Sequence, residues 1–154
     1  MPDERIKEYA FLLLKYRLRS EKELYFRLKR KKFPEVQIER VLNFLKEKKF
    51  LDDTAFTKAW IRSRVGSSFG FNRISRELKL KGVSKDTLEK EIGEAKKNYS
   101  EEEVIEGLAR AKLDKFKGID LLKARNRIYA YLIRRGFTSE KVINILNQIC
   151  KQTN

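Results

Sequence analysis

The sequence predicts an all-α protein made of three tandem three-helix repeats that form an elongated, curved array. Three observations carry this reading. The pattern Leu24-x3-Leu28-x3-Lys32-Phe33 returns as Ile74-x3-Leu78-x3-Gly82-Val83 and as Ile128-x3-Leu132-x3-Gly136-Phe137, a period of about 50 residues. Each turn is followed by apolar residues at helical spacing: Ile38, Leu42 and Leu45; Leu88, Ile92 and Ala95; Val142, Leu146 and Ile149. Alternating runs of β-branched residues, the mark of a half-buried strand, do not occur.

The repeats are assigned to residues 1–52, 53–99 and 100–154. In the first, Tyr9, Ala10, Leu13, Leu14 and Leu18 form a helical stripe that ends near Arg19. Ser20-Glu21-Lys22-Glu23 reads as a capping box that opens a second helix, with Leu24 and Leu28 on the core. The basic run Lys29-Arg30-Lys31-Lys32 closes that helix, where cations suit the C-terminal dipole. Pro34 supplies a fixed φ for the first turn of a third helix, which points Ile38, Val41, Leu42 and Leu45 inward.

The second repeat follows Phe50-Leu51-Asp52-Asp53, with Asp52 or Asp53 as N-cap and Phe56, Ala59 and Trp60 on the buried face. Gly66-Ser67-Ser68-Phe69-Gly70 is read as a flexible connector to the helix of Ile74 and Leu78. Gly82 stands where a helix ends in the left-handed conformation, and Ser84 caps the next helix. Ser100 to Glu103 is a second capping-box sequence, followed by Ile105, Leu108, Ala109 and Leu113. A connector from about Lys117 to Leu122 leads to the helix of Ile128, Tyr129, Leu132 and Ile133. Gly136 ends that helix, and Thr138 or Ser139 starts the last. The first repeat has Lys32 at the position of Gly82 and Gly136, so either Lys32 takes a positive φ or its turn is built differently.

Composition narrows the function. The formal net charge is +15, from 37 Lys and Arg against 22 Asp and Glu, with a pI near 9.9. The excess is spread over all three repeats, so each shares a field that attracts polyanions. There is no histidine and only one cysteine, which excludes a Ser-His-Asp triad, a zinc centre and an intrachain disulfide. Cys150 is read as a buried, inert thiol, and the cysteine usage fits a reducing cytosol. No signal peptide, membrane span, nucleotide loop, metal site or other cofactor site is expected.

What remains is cationic surface ordered by helices. The candidate filament- or DNA-binding residues are Lys29, Arg30, Lys31 and Lys32 in the first repeat. Arg62, Arg64, Arg73, Arg76, Lys79 and Lys81 follow in the second, then Arg125, Arg127, Arg134 and Arg135 in the third. Arg73 and Arg76 are three residues apart on one helix, a spacing that suits a strip of phosphates or carboxylates. Phe11, Tyr16, Tyr25, Phe26, Tyr129 and Tyr131 could stack on bases or pack between helices.

Several motifs together resemble the RecX family of regulatory proteins. They are Arg17-x-Arg19-Ser20-Glu21-x-Glu23-Leu24 and Phe50-Leu51-Asp52-Asp53-x2-Phe56-x2-Ala59-Trp60-Ile61-x2-Arg64. Gly70-x2-Arg73-Ile74-x2-Glu77-Leu78-x2-Lys81-Gly82-Val83 and Ile128-x3-Leu132-x-Arg134-Arg135-Gly136-Phe137 continue the match, which departs at Lys32. The sequence itself leads to the expectation of a cytoplasmic monomer. The resemblance implies a non-catalytic modulator that lies in the groove of a RecA filament on single-stranded DNA. It also implies inhibition of strand exchange and of RecA ATPase activity, within DNA repair, recombination and the SOS response. The alternative is a nonspecific or helix-turn-helix binder of single- or double-stranded DNA without a filament partner. The outer faces of the third helices, such as 36–46 and 140–147, are not rich in Arg, Asn and Gln, which favours the first reading.

Overall fold

The computed structural model describes residues 2–153. Among these there are nine α-helices and no strand. They are α1 (Pro2–Tyr16), α2 (Glu21–Arg30), α3 (Glu35–Glu47), α4 (Asp53–Gly66), α5 (Phe71–Leu80), α6 (Lys85–Lys96), α7 (Glu101–Lys115), α8 (Leu121–Arg134) and α9 (Ser139–Thr153).

Local chemistry sets most of the boundaries. Ser20 accepts from the Glu23 N–H while the Glu23 carboxylate accepts from the Ser20 N–H, a complete capping box. Asp52 is the N-cap of α4 and accepts from the Thr54 and Ala55 N–H groups. Ser84, Ser100, Asp120 and Thr138 accept from backbone N–H groups three residues on. Pro34 lies one residue outside α3, at φ −64° and ψ 142°. Its extended ψ makes it the N-cap rather than part of the first turn, and its carbonyl accepts from the Ile38 N–H.

The repeated turn is one device used three times. Lys32 bonds the Lys29 carbonyl and Phe33 the Leu28 carbonyl; Gly82 and Val83 bond those of Lys79 and Leu78; Gly136 and Phe137 bond those of Ile133 and Leu132. This is the Schellman closure, and it needs a left-handed residue in the middle. Gly82 and Gly136 supply it at φ 81° and 105°, and Lys32 takes the same conformation at φ 66°. Lys49, at φ 62°, ends α3 in the same way, which the sequence did not signal.

Two compact units divide the chain. The first runs to Ile61 and adds Glu77–Glu91; the second comprises Arg62–Arg76 and the chain from Ile92 onward. In the first, α1, α2 and α3 enclose Ile6, Ala10, Leu13, Leu24, Leu28, Ile38, Val41, Leu42, Leu45 and Leu51. In the second, α7, α8 and α9 enclose Ile105, Ala109, Ile128, Leu132, Phe137, Val142, Leu146 and Ile149. Burying each Leu, Ile, Val or Phe side chain among them contributes about 1.5–3 kcal/mol, opposed by the entropy of ordering the chain.

Four sequence expectations are corrected. Helix α1 stops at Tyr16, leaving Leu18 outside it and 48% exposed. The Arg19 guanidinium turns back to donate to the Leu13 carbonyl near the end of α1. Helix α4 buries Phe56, Thr57 and Ile61, whereas Ala59 and Trp60 are half-buried. Thr57 tolerates burial because its hydroxyl donates to the Asp53 carbonyl. Helix α8 starts at Leu121, so the connector is 116–120. Cys150 is half-buried rather than buried, because the core side of α9 is taken by Val142, Ile145, Leu146 and Ile149.

Candidate nucleic-acid interface

In the first unit the basic end of α2 is only partly free. Lys29 pairs with Glu35 at 2.6 Å, and the Tyr25 hydroxyl donates to the same carboxylate at 2.8 Å. That hydrogen bond to Glu35 is the main cause holding the Tyr25 phenol above its usual range. Lys31 lies over the Tyr9 ring, 5.2 Å from its centroid. Arg30 and Lys32 are exposed, with no carboxylate partner among the described residues.

Lys81 has a structural assignment. Its ammonium pairs with Glu23 at 2.8 Å and sits 4.6 Å above the Trp60 ring, while the Ser20 hydroxyl donates to the Lys81 carbonyl at 2.7 Å. Burial alone would raise Glu23; hydrogen bonds from Arg17, Lys81 and the Ser20 N–H outweigh it and bring that carboxyl down to about 2. Trp60 stacks on Phe56 at 5.8 Å, and its indole N–H donates to Glu77. A half-buried Trp with a satisfied N–H is an ordinary packing solution. Lys79, two residues before Lys81, is exposed.

The second unit gathers three guanidinium groups around one ring. Arg135, Arg73 and Arg64 lie 4.1, 4.3 and 5.2 Å from the centroid of Phe69. Arg73 also donates to the Arg134 carbonyl at 3.3 Å, and Arg135 donates to the carbonyls of Ser67 and Ser68. The Tyr99 hydroxyl donates to the Phe69 carbonyl at 3.0 Å. Burial, then Glu101, pushes that phenol up to about 12, against the opposing pull of Arg135. The 66–70 segment is therefore fastened at each carbonyl from Ser67 to Phe69, not a flexible connector.

Backbone contact completes this joint. The Gly70 N–H donates to the Arg135 carbonyl at 2.8 Å and the Asn72 N–H to the Gly136 carbonyl at 3.0 Å. Glu101, buried at 5% exposure, accepts from the Phe71 N–H at 2.9 Å through one oxygen and from Lys141 at 3.0 Å through the other. Sequence reading placed Glu101 in a capping box and did not single out Phe69 or Tyr99. Arg64 and Arg73 reach Phe69 from within five residues, but Glu101–Phe71, Tyr99–Phe69 and Arg135–Phe69 join segments about 30 or more residues apart, which no local spacing signals.

The remaining candidates diverge. Arg125 donates to the Asn147 side chain at 2.8 Å, and Arg127 lies 5.8 Å from the Phe116 ring centroid. Arg62, Arg76 and Arg134 have exposed side chains. Thus Arg73 is drawn onto Phe69 while Arg76 is left in solvent, although both stand on α5. Among the described residues, no group of three or more His, Cys, Asp or Glu could hold a metal ion. No helix among them is long and apolar enough to cross a membrane.

These features define a class: an all-helical chain of three-helix repeats in which one recurrent turn joins the second helix of each to the third, with exposed cations around it. The models of the first, second and third three-helix domains of RecX match residues 7–45, 52–90 and 100–146. The chain is 30% identical over 147 residues to Regulatory protein RecX of Clostridium beijerinckii, covering 94% of this chain and 68% of that one. It is 30% identical over 141 residues to Regulatory protein RecX of Haemophilus influenzae, covering 91% of each. The crystal structure of RecX from Lactobacillus salivarius superposes with a TM-score of 0.80 at 20% identity, over 96% of both chains, a likeness of fold. The chain belongs to the RecX family of regulatory proteins.

Proposed function

We propose that this chain regulates a RecA filament by binding it along single-stranded DNA and lowering its recombinase and ATPase activity, without catalysis of its own. Family membership supports the regulatory role. The observation that carries the nucleic-acid side is a division among the cations. Arg30, Lys32, Arg62, Arg76, Lys79 and Arg134 have exposed side chains and no carboxylate partner among the described residues. Lys81, Arg73 and Arg135 instead hold the fold together. Exposed cations with a net charge of +15 attract a polyanion, while the restrained ones fix the helices that present them.

The test is RecA ATP hydrolysis on single-stranded DNA with rising amounts of this protein. A progressive fall is expected at sub-stoichiometric to stoichiometric ratios. Unchanged hydrolysis together with unchanged strand exchange would overturn the reading, even if free DNA were bound.

A further inference from the structure

The outer row of α2 has a chemistry that the capping and core of that helix leave unused. Lys22, Phe26 and Arg30 are spaced four residues apart, so they stand one above another on the exposed side of the helix. Phe26 is 54% exposed, a large apolar ring set in a basic row. The row is held from below and from the side. Tyr25 meets Phe26 in a T-shaped contact, with centroids 5.2 Å apart and planes at 83°, and Tyr25 is itself pinned by its hydroxyl to Glu35. The Lys22 stem lies against Gly82, where an added Cβ would come within 2.7 Å of the Lys22 Cβ and Cδ. Its ammonium reaches to 6.0 Å from the Phe26 centroid.

The nearby carboxylates are engaged elsewhere. Glu21 pairs with Lys46, Glu23 with Arg17 and Lys81, and Glu35 with Lys29. Lys22 and Arg30 have no carboxylate partner among the described residues. An exposed ring braced on one side by Tyr25, with a cation one turn before it and another one turn after it, is complementary to a base flanked by phosphates. An apolar protein surface would leave those two charges buried and unpaired, which is costly.

We propose that Lys22, Phe26 and Arg30 form a base-stacking platform for single-stranded nucleic acid: Phe26 takes the base, and the two cations take the phosphates on either side. This rests on the reading of the exposed cations as phosphate-facing, and adds a preference for unpaired bases. A duplex keeps its bases stacked inside and offers this ring no face, so single strands gain over duplex through Phe26 alone.

The full chain is titrated with an oligothymidylate of about 15 nucleotides, an abasic strand of equal length, and a duplex. Wild type is expected to bind the oligothymidylate about 5- to 100-fold more tightly than the abasic strand. Phe26→Ala should erase that ratio while leaving abasic and duplex binding unchanged. Phe26→Trp should keep the ratio and add an emission quenched by oligothymidylate but not by the abasic strand. Because Phe26 is half exposed, both variants should melt near wild type, and the Trp variant reports on the platform even if the Ala variant does not. Equal wild-type binding to the two single strands, or a ratio that survives in Phe26→Ala, would overturn the proposal. Loss of RecA inhibition in Phe26→Ala with the ratio intact would assign the ring to a protein partner instead, and also overturn it. Conversely, base discrimination without RecA inhibition would leave this platform standing and remove only the filament reading.

Discussion

Gly70 and Gly136 meet backbone to backbone: a Cβ added to Gly70 would lie 2.4 Å from both the carbonyl carbon and oxygen of Gly136. No side chain can swing aside there, because the obstructing atoms belong to the main chain that also accepts from Asn72. The contact joins the start of α5 to the end of α8 within the second unit.

Gly70→Ala is accordingly expected to destabilise the protein by about 1–3 kcal/mol, as overpacking does in a close-packed contact. Urea denaturation should show a lower midpoint. Ala at the solvent-facing Gly93, where nothing lies within 4 Å of an added Cβ, should stabilise slightly or leave the midpoint alone. Equal behaviour of the two variants would refute the joint.

Glu101→Ala removes the acceptor of a buried backbone N–H and of an ammonium at once. Leaving the Phe71 N–H unsatisfied costs about 1–3 kcal/mol. The loss should be read by thermal melting and should exceed that of Glu102→Ala, whose partner Lys141 pairs with an exposed carboxylate at 3.5 Å. Comparable melting of the two variants would contradict the role assigned to Glu101.

Glu23 makes the first unit sensitive to acid. Its folded-state value of about 2 lies below the ordinary 4.5, so its contribution is complete above the ordinary value and is lost as pH falls from there toward about 2. The contribution is of the order of 2 kcal/mol after allowing for solvent screening at the Arg17 side chain, which is 43% exposed. Glu23→Gln should lower stability near neutral pH and flatten the decline between pH 5 and 2. Parallel stability curves for variant and wild type over that window would rule this out.

Arg62→Ala combined with Arg76→Ala removes exposed cations and should leave the helical fold unchanged. Each lost phosphate contact should reduce the slope of log affinity against log salt by about 0.7–0.9. Arg73→Ala and Lys81→Ala should instead lower the melting temperature, since both side chains are tied into the fold. Binding isotherms at several salt concentrations separate these outcomes. An unchanged slope in the double variant would mark those two cations as solvated only.

The sequence by itself determined the nine helices among the described residues, the recurrent turn and the caps at Ser20, Ser84 and Ser100, because each depends on residues within about four positions of one another. The caps at Pro34 and Asp120 it did not signal. It raised the question of Lys32 but could not answer it. Left-handed Lys is strained by about 1 kcal/mol, and only the hydrogen bonds at Lys29 and Leu28 show the turn is kept. Resemblance in the motifs from Leu51 to Gly82 made the family legible. Tertiary structure alone decided which cations remain available. Lys81, Arg73 and Arg135 look like Lys79, Arg76 and Arg134 in sequence, yet the first three are restrained by Glu23, Trp60, Phe69 and carbonyls far along the chain. The second three are exposed. A side chain's charge is fixed by its chemistry, but whether that charge meets a ring, a carbonyl or water depends on which distant segment folds beside it.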